Sequence, residues 1–430
     1  MQTKLLALLR ETVRPAFGCT EPVACALAVA RAKEVLGNDP VIDKIKIVCS
    51  PGVYKNGLGV GIPGTGERGI PIAAALGALI GQSERGLEVL AETTPTAVKE
   101  AKQLLEQGIV EVTYDPSAAG VFIQATVSGP EGFAKVVISG SHTHIAYVEK
   151  NGQPLFDSGK QEAAATIISS SSFSLSDLSL ADLIDFVETV PIEEIEFMLD
   201  GARMNRQAAQ RGLSQKAGHM VGYTLKTMMD QGIIGTDMVN QARIYTAAAS
   251  DARMGGLPVV IMSSAGSGNH GIEAIVPVTV MWEELGLPEE KLARALALSH
   301  LVTAYIKEHT GKISPICGCS VGAGAGSAAA GAWLLGGDAA AAGRAIQNII
   351  ANLAGVLCDG GKNSCALKLA AAAAEAVLSA QLAVRGIGVD NLDGIVGETA
   401  EQTIANLGCV STHGLAQTDT AILTVMENKA

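Results

Sequence analysis

Four cysteines in two glycine-rich runs hold most of the chemistry in this sequence. The first run is Ile316-Cys317-Gly318-Cys319-Ser320-Val321-Gly322-Ala323-Gly324-Ala325-Gly326. The second, Cys358-Asp359-Gly360-Gly361-Lys362-Asn363-Ser364-Cys365, starts 39 residues after Cys319. Helix N-termini offer free N–H groups and a partial positive charge that stabilise thiolates, and glycine lets a backbone come close to a bound group. Thiolates held in this way suit an iron–sulfur cluster or zinc. Spacing and surroundings favour the cluster. Zinc knuckles pair their cysteines closely, whereas six residues separate Cys358 from Cys365, and the flanks are small and apolar rather than polar. The bland alternative is that a buried cysteine is a small hydrophobe and nothing more.

Cys19 is the second signal, in Phe17-Gly18-Cys19-Thr20-Glu21-Pro22. It stands just ahead of a helix whose first turn holds Glu21 and Pro22, where a thiolate could act as base or nucleophile. Cys25, inside that helix, and Cys49 and Cys409 read as core or loop residues. The runs Ser50–Gly57 and Gly61–Gly66 form a glycine-rich loop pair. They lack the Lys-Ser/Thr ending of a phosphate loop, but their amides could wrap a carboxylate. Ser264–Gly271 reads as a glycine loop after the apolar run Val259–Met262, and its Asn269 and His270 suit a substrate. With Asn56, these are the candidates for holding the carboxylate and ammonium of a small substrate. In Gly140-Ser141-His142-Thr143-His144 the two histidines read as one face of a surface strand rather than a metal pair.

The elements that must position these residues are helical at both ends. Helices are expected before and after the Pro15–Pro22 loop, the second over Val23–Leu36. At Val41 the pattern changes: Ile45, Ile47 and Cys49 alternate with polar residues as in a half-buried strand. Strands are expected at Val110–Tyr114, Val121–Ser128, Ala134–Ser139 and His144–Lys150, with Asn151-Gly152 as a tight turn and helix over 83–107. From Leu180 onward helices dominate, at 192–211, 214–231, 236–254, 289–309, 322–336, 338–356, 365–384, 396–406 and 417–427, with Asp251, Asp338 and Asp390 at cap or turn positions. The fold class is α+β. A mostly α-helical catalytic body, residues 1–40 and 180–430, carries an inserted mixed α/β sheet domain at 41–179, near the N-terminus.

Composition narrows the field. Hydrophobic residues reach 48% with only 3% aromatic and 49 glycines, which suits tightly packed helices. Net charge is −12, with no clustered cations for phosphates, so no nucleic-acid partner is expected. The uncharged stretch Ile313–Gly337 is rich in glycine and opens on a Cys-Gly-Cys loop, which argues for a buried helix and against a membrane span. The N-terminal apolar run is broken by Arg10 and Glu11 and is not a secretory signal. Eight cysteines without such a signal imply reduced thiols and a cytoplasmic location.

Taken together, Gly18–Pro22, Ser50–Gly57, Gly140–His144, Ser267–Gly271, Cys317–Gly326 and Cys358–Cys365 make the chain resemble the iron–sulfur-dependent L-serine dehydratase α-chain family, most closely its L-cysteine desulfidase branch. The resemblance runs nearly end to end. It implies a [4Fe–4S] cluster held by Cys317, Cys358 and Cys365 with one iron open to substrate, Cys19 as base, and no pyridoxal phosphate. In dehydratase relatives a Val-Gly glycine follows the first ligand by five residues, which fits Cys317 and Gly322; Cys319 is the alternative ligand. The short interval from Cys358 to Cys365 points to the cysteine branch.

The expected reaction is α,β-elimination from L-cysteine, giving pyruvate, ammonia and sulfide, with L-serine dehydration as the alternative. A zinc-stabilised, non-enzymatic helical binding protein is the reading from another class. A pyridoxal-phosphate dehydratase is disfavoured, because Lys55 lies in Tyr-Lys-Asn-Gly, outside a Schiff-base context. Expected partners are a small amino-acid substrate and further copies of the chain in a homo-oligomer, without nucleic acid or membrane.

Overall fold

A computed structural model describes residues 1–37, 39–159, 174–311 and 313–429. Eight strands are labelled in chain order: β1 (Pro15–Phe17), β2 (Lys44–Cys49), β3 (Val110–Tyr114), β4 (Phe122–Gly129), β5 (Gly132–Ser139), β6 (Ile145–Lys150), β7 (Gln153–Asp157) and β8 (Val260–Met262). Six of them form one mixed sheet in the order β3-β2-β4-β5-β6-β7, with β2 and β3 parallel and the rest antiparallel. Along β2 the side chains alternate, with Ile45, Ile47 and Cys49 buried, so the sheet has one face on a core.

That core also takes in helices Thr20–Leu36 and Ile70–Ile80, whose small residues let them pack closely. Helix Thr20–Leu36 thus shares its interior with the sheet, although the sequence groups residues 1–40 with the helical body. A second, larger core gathers Leu5, Leu9 and the helices from Leu180 onward. Its centre is helix Gly324–Leu334, in which every residue is buried. The middle of the membrane-like stretch Ile313–Gly337 is therefore an interior helix. Among the described residues, Cys365–Ala383 is the helix long and apolar enough to cross a membrane, and 56% of its most apolar window is buried.

The α+β class holds, and the structure revises several of its parts. Ser50–Gly57 is not a loop: Pro51 opens a short helix over Pro51–Gly57, its fixed φ suited to the first turn. Helix Gly268–Leu285 starts inside the expected glycine loop and was masked by its glycine opening and by Pro277 in its interior. Asp338 caps its helix through Ala341 N–H, as expected. Asp251 instead lies inside helix Met238–Met254, fully buried, and accepts from the N–H groups of His219 and Gly222, capping a neighbouring helix from the side.

Candidate active site

Three short backbone pairings bring distant segments together. β1 pairs antiparallel with β8, Pro15 opposite Met262 and Phe17 opposite Val260. Two residues past β1, Cys19 is the N-cap of helix Thr20–Leu36. Just past β8, a turn closed by Ser264 and Ser267 leads into helix Gly268–Leu285, whose first turn presents Asn269 and His270. A second, antiparallel bridge joins Ile316 to Leu357. There Cys317 N–H donates to Val356 O at 2.8 Å and Cys358 N–H to Pro315 O at 2.7 Å, which sets the two cysteine runs side by side. A parallel bridge from Gly59 to Lys362 ties the segment after Asn56 to the second run.

Local conformation completes the placement. Cys319 opens a π-helical turn, Cys319–Ala323, that runs into helix Gly324–Leu334; such turns are concentrated at functional sites. Cys365 is the first residue of helix Cys365–Ala383. Two glycines are needed here. A side chain at Gly318 would begin 2.5 Å from His270 Nε2, and Gly360 has φ +99° with Lys55 O 2.3 Å from where its Cβ would stand.

These segments surround one cavity of about 90 Å³, where a single water needs about 10–15 Å³. Cys317, Cys319, Cys358 and Cys365 all line it, together with Cys19, Asn56, Asn269 and His270. The four thiols share the cavity with Lys307 and Lys368. Cys319 offers Cys317 a hydrogen bond that, with help from Ser320 and Lys368, outweighs burial and draws the Cys317 thiol well below its usual range. The hydrogen bond it gives Cys317, together with burial and the neighbouring thiolates, holds Cys319 up; burial holds Cys358 up, and Cys365 is pushed up to about 11, chiefly by burial. Lys307, drawn down to about 8 by burial, donates to Ser314 Oγ at 3.1 Å and feels the charge of Cys358, Cys319 and Cys317.

Cys19 belongs to a small apolar cluster with Val60 and Met254 against which Cys365 packs, and its polar neighbours differ from those of the other thiols. Cys19 Sγ donates to Glu21 Oε2 at 3.1 Å, Thr20 Oγ1 donates to the same oxygen at 3.0 Å, and Asn56 Nδ2 donates to Glu21 Oε1 at 3.0 Å. Burial and the Glu21 charge together push the Cys19 thiol far up. Burial also opposes ionisation of Glu21, yet the His142 charge and these hydrogen bonds hold its carboxyl below the usual range. Arg253 braces this region, with Nη1 donating to Asn269 Oδ1 and Nη2 to Gly18 O, both at 3.0 Å.

Every site residue expected from sequence thus lines this one cavity. Several details differ. His142 is not on a strand face: it sits in the turn between β5 and β6 and lines the cavity, while His144 is exposed. His270 is lowered to about 3 by burial and by Lys307, so it is neutral and not an acid. Asn56 is engaged with Glu21 through its amide nitrogen, leaving Oδ1 without a protein partner, as are His270 Nδ1 and Arg253 Nε. These buried, unpaired atoms are what a polar ligand would satisfy. Lys55 does not line the cavity; its Nζ donates to Cys358 O at 2.7 Å and pairs with Asp419 at 2.6 Å. Glu21, Arg253, Lys307 and Lys368 were missed. Glu21 stood inside the motif around Cys19 and read only as a first-turn acid. Arg253 stands at the end of helix Met238–Met254, which also carries Arg243 and Asp251, and gave no local signal of its role.

The donor set decides what the thiols can hold. Among the described residues, no three His, Cys, Asp or Glu groups gather tightly enough to grip a single ion. The thiols are instead spread around a cavity, the arrangement that an iron–sulfur cluster, bringing its own sulfides, can accept. Soft thiolates select such clusters.

Comparison with known proteins gives a family. The serine dehydratase alpha chain family matches residues 84–424, which takes in the four thiols and His270 and leaves Cys19, Glu21 and Asn56 outside. A UPF0597 protein of Clostridioides difficile (strain 630) is 44% identical over 424 residues, covering 98% of this chain and 99% of its own. One from Alkaliphilus oremlandii is 42% identical, covering 99% and 98%, and one from Bacteroides thetaiotaomicron is 41% identical with the same coverage.

Proposed function

This chain belongs to the serine dehydratase α-chain family, and from that premise we propose that it is an iron–sulfur-dependent L-cysteine desulfidase. The observation that carries this reading is the single cavity lined by four thiols and by a fifth, Cys19, in a different electrostatic setting. Cys317, Cys358 and Cys365 would hold a [4Fe–4S] cluster, with Cys319 as alternative to Cys317. When bound, the cluster supplies an open iron that acts as a Lewis acid toward the substrate's carboxylate and β-substituent.

The remaining work belongs to side chains. Asn269, fixed by Arg253, and neutral His270 hold the carboxylate and ammonium from one side, with Asn56 Oδ1 available on the other. Cys19 removes the α-proton, a task worth about 10²–10⁴-fold in rate. Elimination gives aminoacrylate, which tautomerises and hydrolyses to pyruvate and ammonia. Burial of Cys19, Asn269 and His270 limits the access of bulk water to the carbanion.

A cysteine substrate suits this cavity because a departing thiolate needs less acid assistance than hydroxide and because sulfur is a soft ligand. The test is anaerobically reconstituted protein given L-cysteine or L-serine without pyridoxal phosphate. Equal yields of sulfide and pyruvate, with kcat/KM higher for cysteine, support the reading. Faster turnover of serine would transfer the chain to serine dehydration with the same machinery. One zinc per chain and no turnover would sink the enzyme reading.

A further inference from the structure

We infer that Glu21 and Asn56 form the site for the substrate's α-ammonium group, so that this cavity selects α-amino acids over carboxylic acids that lack the amine. The inference rests on the elimination reading above and adds to it the residues that recognise the amine. A small amino acid carries one positive and one negative group, and a cavity that orients it must separate the two. Among the described residues lining this cavity, Glu21 is the one carboxylate, whereas Arg253, Lys307 and Lys368 are cations. An ammonium group is repelled by the cations and drawn to Glu21.

Glu21 is built to stay charged. It is 8% exposed, at the positive end of helix Thr20–Leu36. Cys19 and Thr20 donate to Oε2 and Asn56 donates to Oε1. The His142 charge faces it from the turn between β5 and β6, and the carboxyl is held below its usual range. A helix end gains as much from an exposed acid, and burying a carboxylate costs more than the helix end returns. A cationic group on a ligand is the partner that justifies a buried carboxylate facing a cavity.

Asn56 supplies the second acceptor. An ionised carboxylate only accepts, so the Asn56 atom against Glu21 Oε1 must be nitrogen. That turns Oδ1 away from Glu21, and it is buried without a protein partner. One amide thus carries both the bond to the carboxylate and an unpaired acceptor beside it. Glu21 Oε1 and Asn56 Oδ1 offer an ammonium group one charged and one neutral acceptor, from side chains that line the same cavity. The placement suits the chemistry. Cys19 Sγ is 3.1 Å from Glu21 Oε2, and the α-carbon is one bond from the nitrogen, so an amine held at Glu21 brings the α-proton toward Cys19. Asn269 and His270 are left to the carboxylate, with the Arg253 guanidinium bonded to Asn269.

The experiment measures by calorimetry the binding of L-alanine and of propionate to the anaerobically reconstituted protein, in the parent, Glu21→Gln and Glu21→Asp. Neither probe has a β leaving group, so no turnover intervenes, and the two differ only in the amine. The parent should bind L-alanine at least about 10-fold more tightly than propionate, as a hydrogen bond to a charged group provides. Glu21→Gln should weaken L-alanine at least about 10-fold. It should leave propionate unchanged or tighter, because a repelling charge is gone.

Other roles give other patterns. A carboxylate acting only through its field would tighten propionate and leave L-alanine, which has no net charge, where it was. One that merely supports the helix end would weaken both probes alike. Either pattern overturns the inference, as does a parent without preference for L-alanine. If Glu21→Gln does not fold, Glu21→Asp decides. Its shorter arm keeps the charge and withdraws the contact, so L-alanine alone should weaken; unmoved L-alanine, or equal losses for both probes, overturns the ammonium site. A parent that binds L-alanine selectively yet turns over neither cysteine nor serine defeats the proposed function and leaves this site standing.

Discussion

Cys317 and Cys19 line one cavity and carry the same functional group in opposite electrostatic settings. Cys317 lies beside a thiol donor, Ser320 and Lys368, and is drawn toward thiolate. Cys19 lies beside a carboxylate and stays a thiol, even with Arg253 close by. Both sulfurs are buried, so burial does not distinguish them; the neighbours do. On the proposed reading the thiols nearer the thiolate state would hold the cluster, and Cys19 would handle the substrate's proton.

The comparison breaks most visibly at the four thiols. Cys358→Ala should take iron from about four per reconstituted chain to background and abolish turnover, read by metal analysis and pyruvate formation. Cys19→Ala should do something different, leaving iron in place while turnover falls about 10²–10⁴-fold. Iron lost along with activity would make Cys19 a ligand and erase the distinction between the two settings.

Smaller effects come from the supports behind the cavity. Lys55, with a fully buried side chain, holds Cys358 O and pairs with Asp419, whose side chain is 25% exposed. Asp419→Ala should destabilise the protein by about 2 kcal/mol, below the roughly 3–5 kcal/mol of a fully buried pair because water partly replaces the carboxylate. A urea unfolding midpoint measures it. His300 Nδ1 lies 2.8 Å from Ser264 Oγ, under the turn that presents Asn269. Burial lowers His300 to about 3. The unfolded chain takes up this proton near pH 6.5 and the folded chain only near 3, so folding stability from His300 is complete above the higher value and falls as pH drops between the two. The slope is about 1.4 kcal/mol per pH unit. His300→Gln should remove that increment from the pH dependence of unfolding in the iron-free protein; an unchanged slope would contradict it.

What could be read from the sequence follows the range of the forces involved. Strands β3 to β6 and the helices from Glu289 to Leu353 announced themselves because alternation and helical period are local. The thiols announced themselves by type and spacing. Helix Gly268–Leu285 did not, since glycines and Pro277 outweigh its pattern locally while tertiary packing holds it in place. Glu21 and Arg253 were hidden for another reason. Their roles depend on Asn56, Asn269 and Gly18, partners that only the folded chain brings within 3.0 Å. The same holds for His142, whose strand-like surroundings gave no hint that its turn reaches the cavity.

The ladder between β1 and β8 joins positions about 245 residues apart, and this gives the site a history as well as a shape. Cys19 leaves a ribosome early, but β8 and the four other thiols, ending with Cys365, emerge hundreds of residues later. At about 5–20 residues per second, that interval is on the order of 20–70 s. Through this interval the Cys19 thiol has neither Arg253 nor the second cysteine run beside it, and the four other cavity thiols do not yet exist as a set. On the proposed reading, cluster loading would wait until Cys365 has emerged, and Cys19 would be most exposed before then.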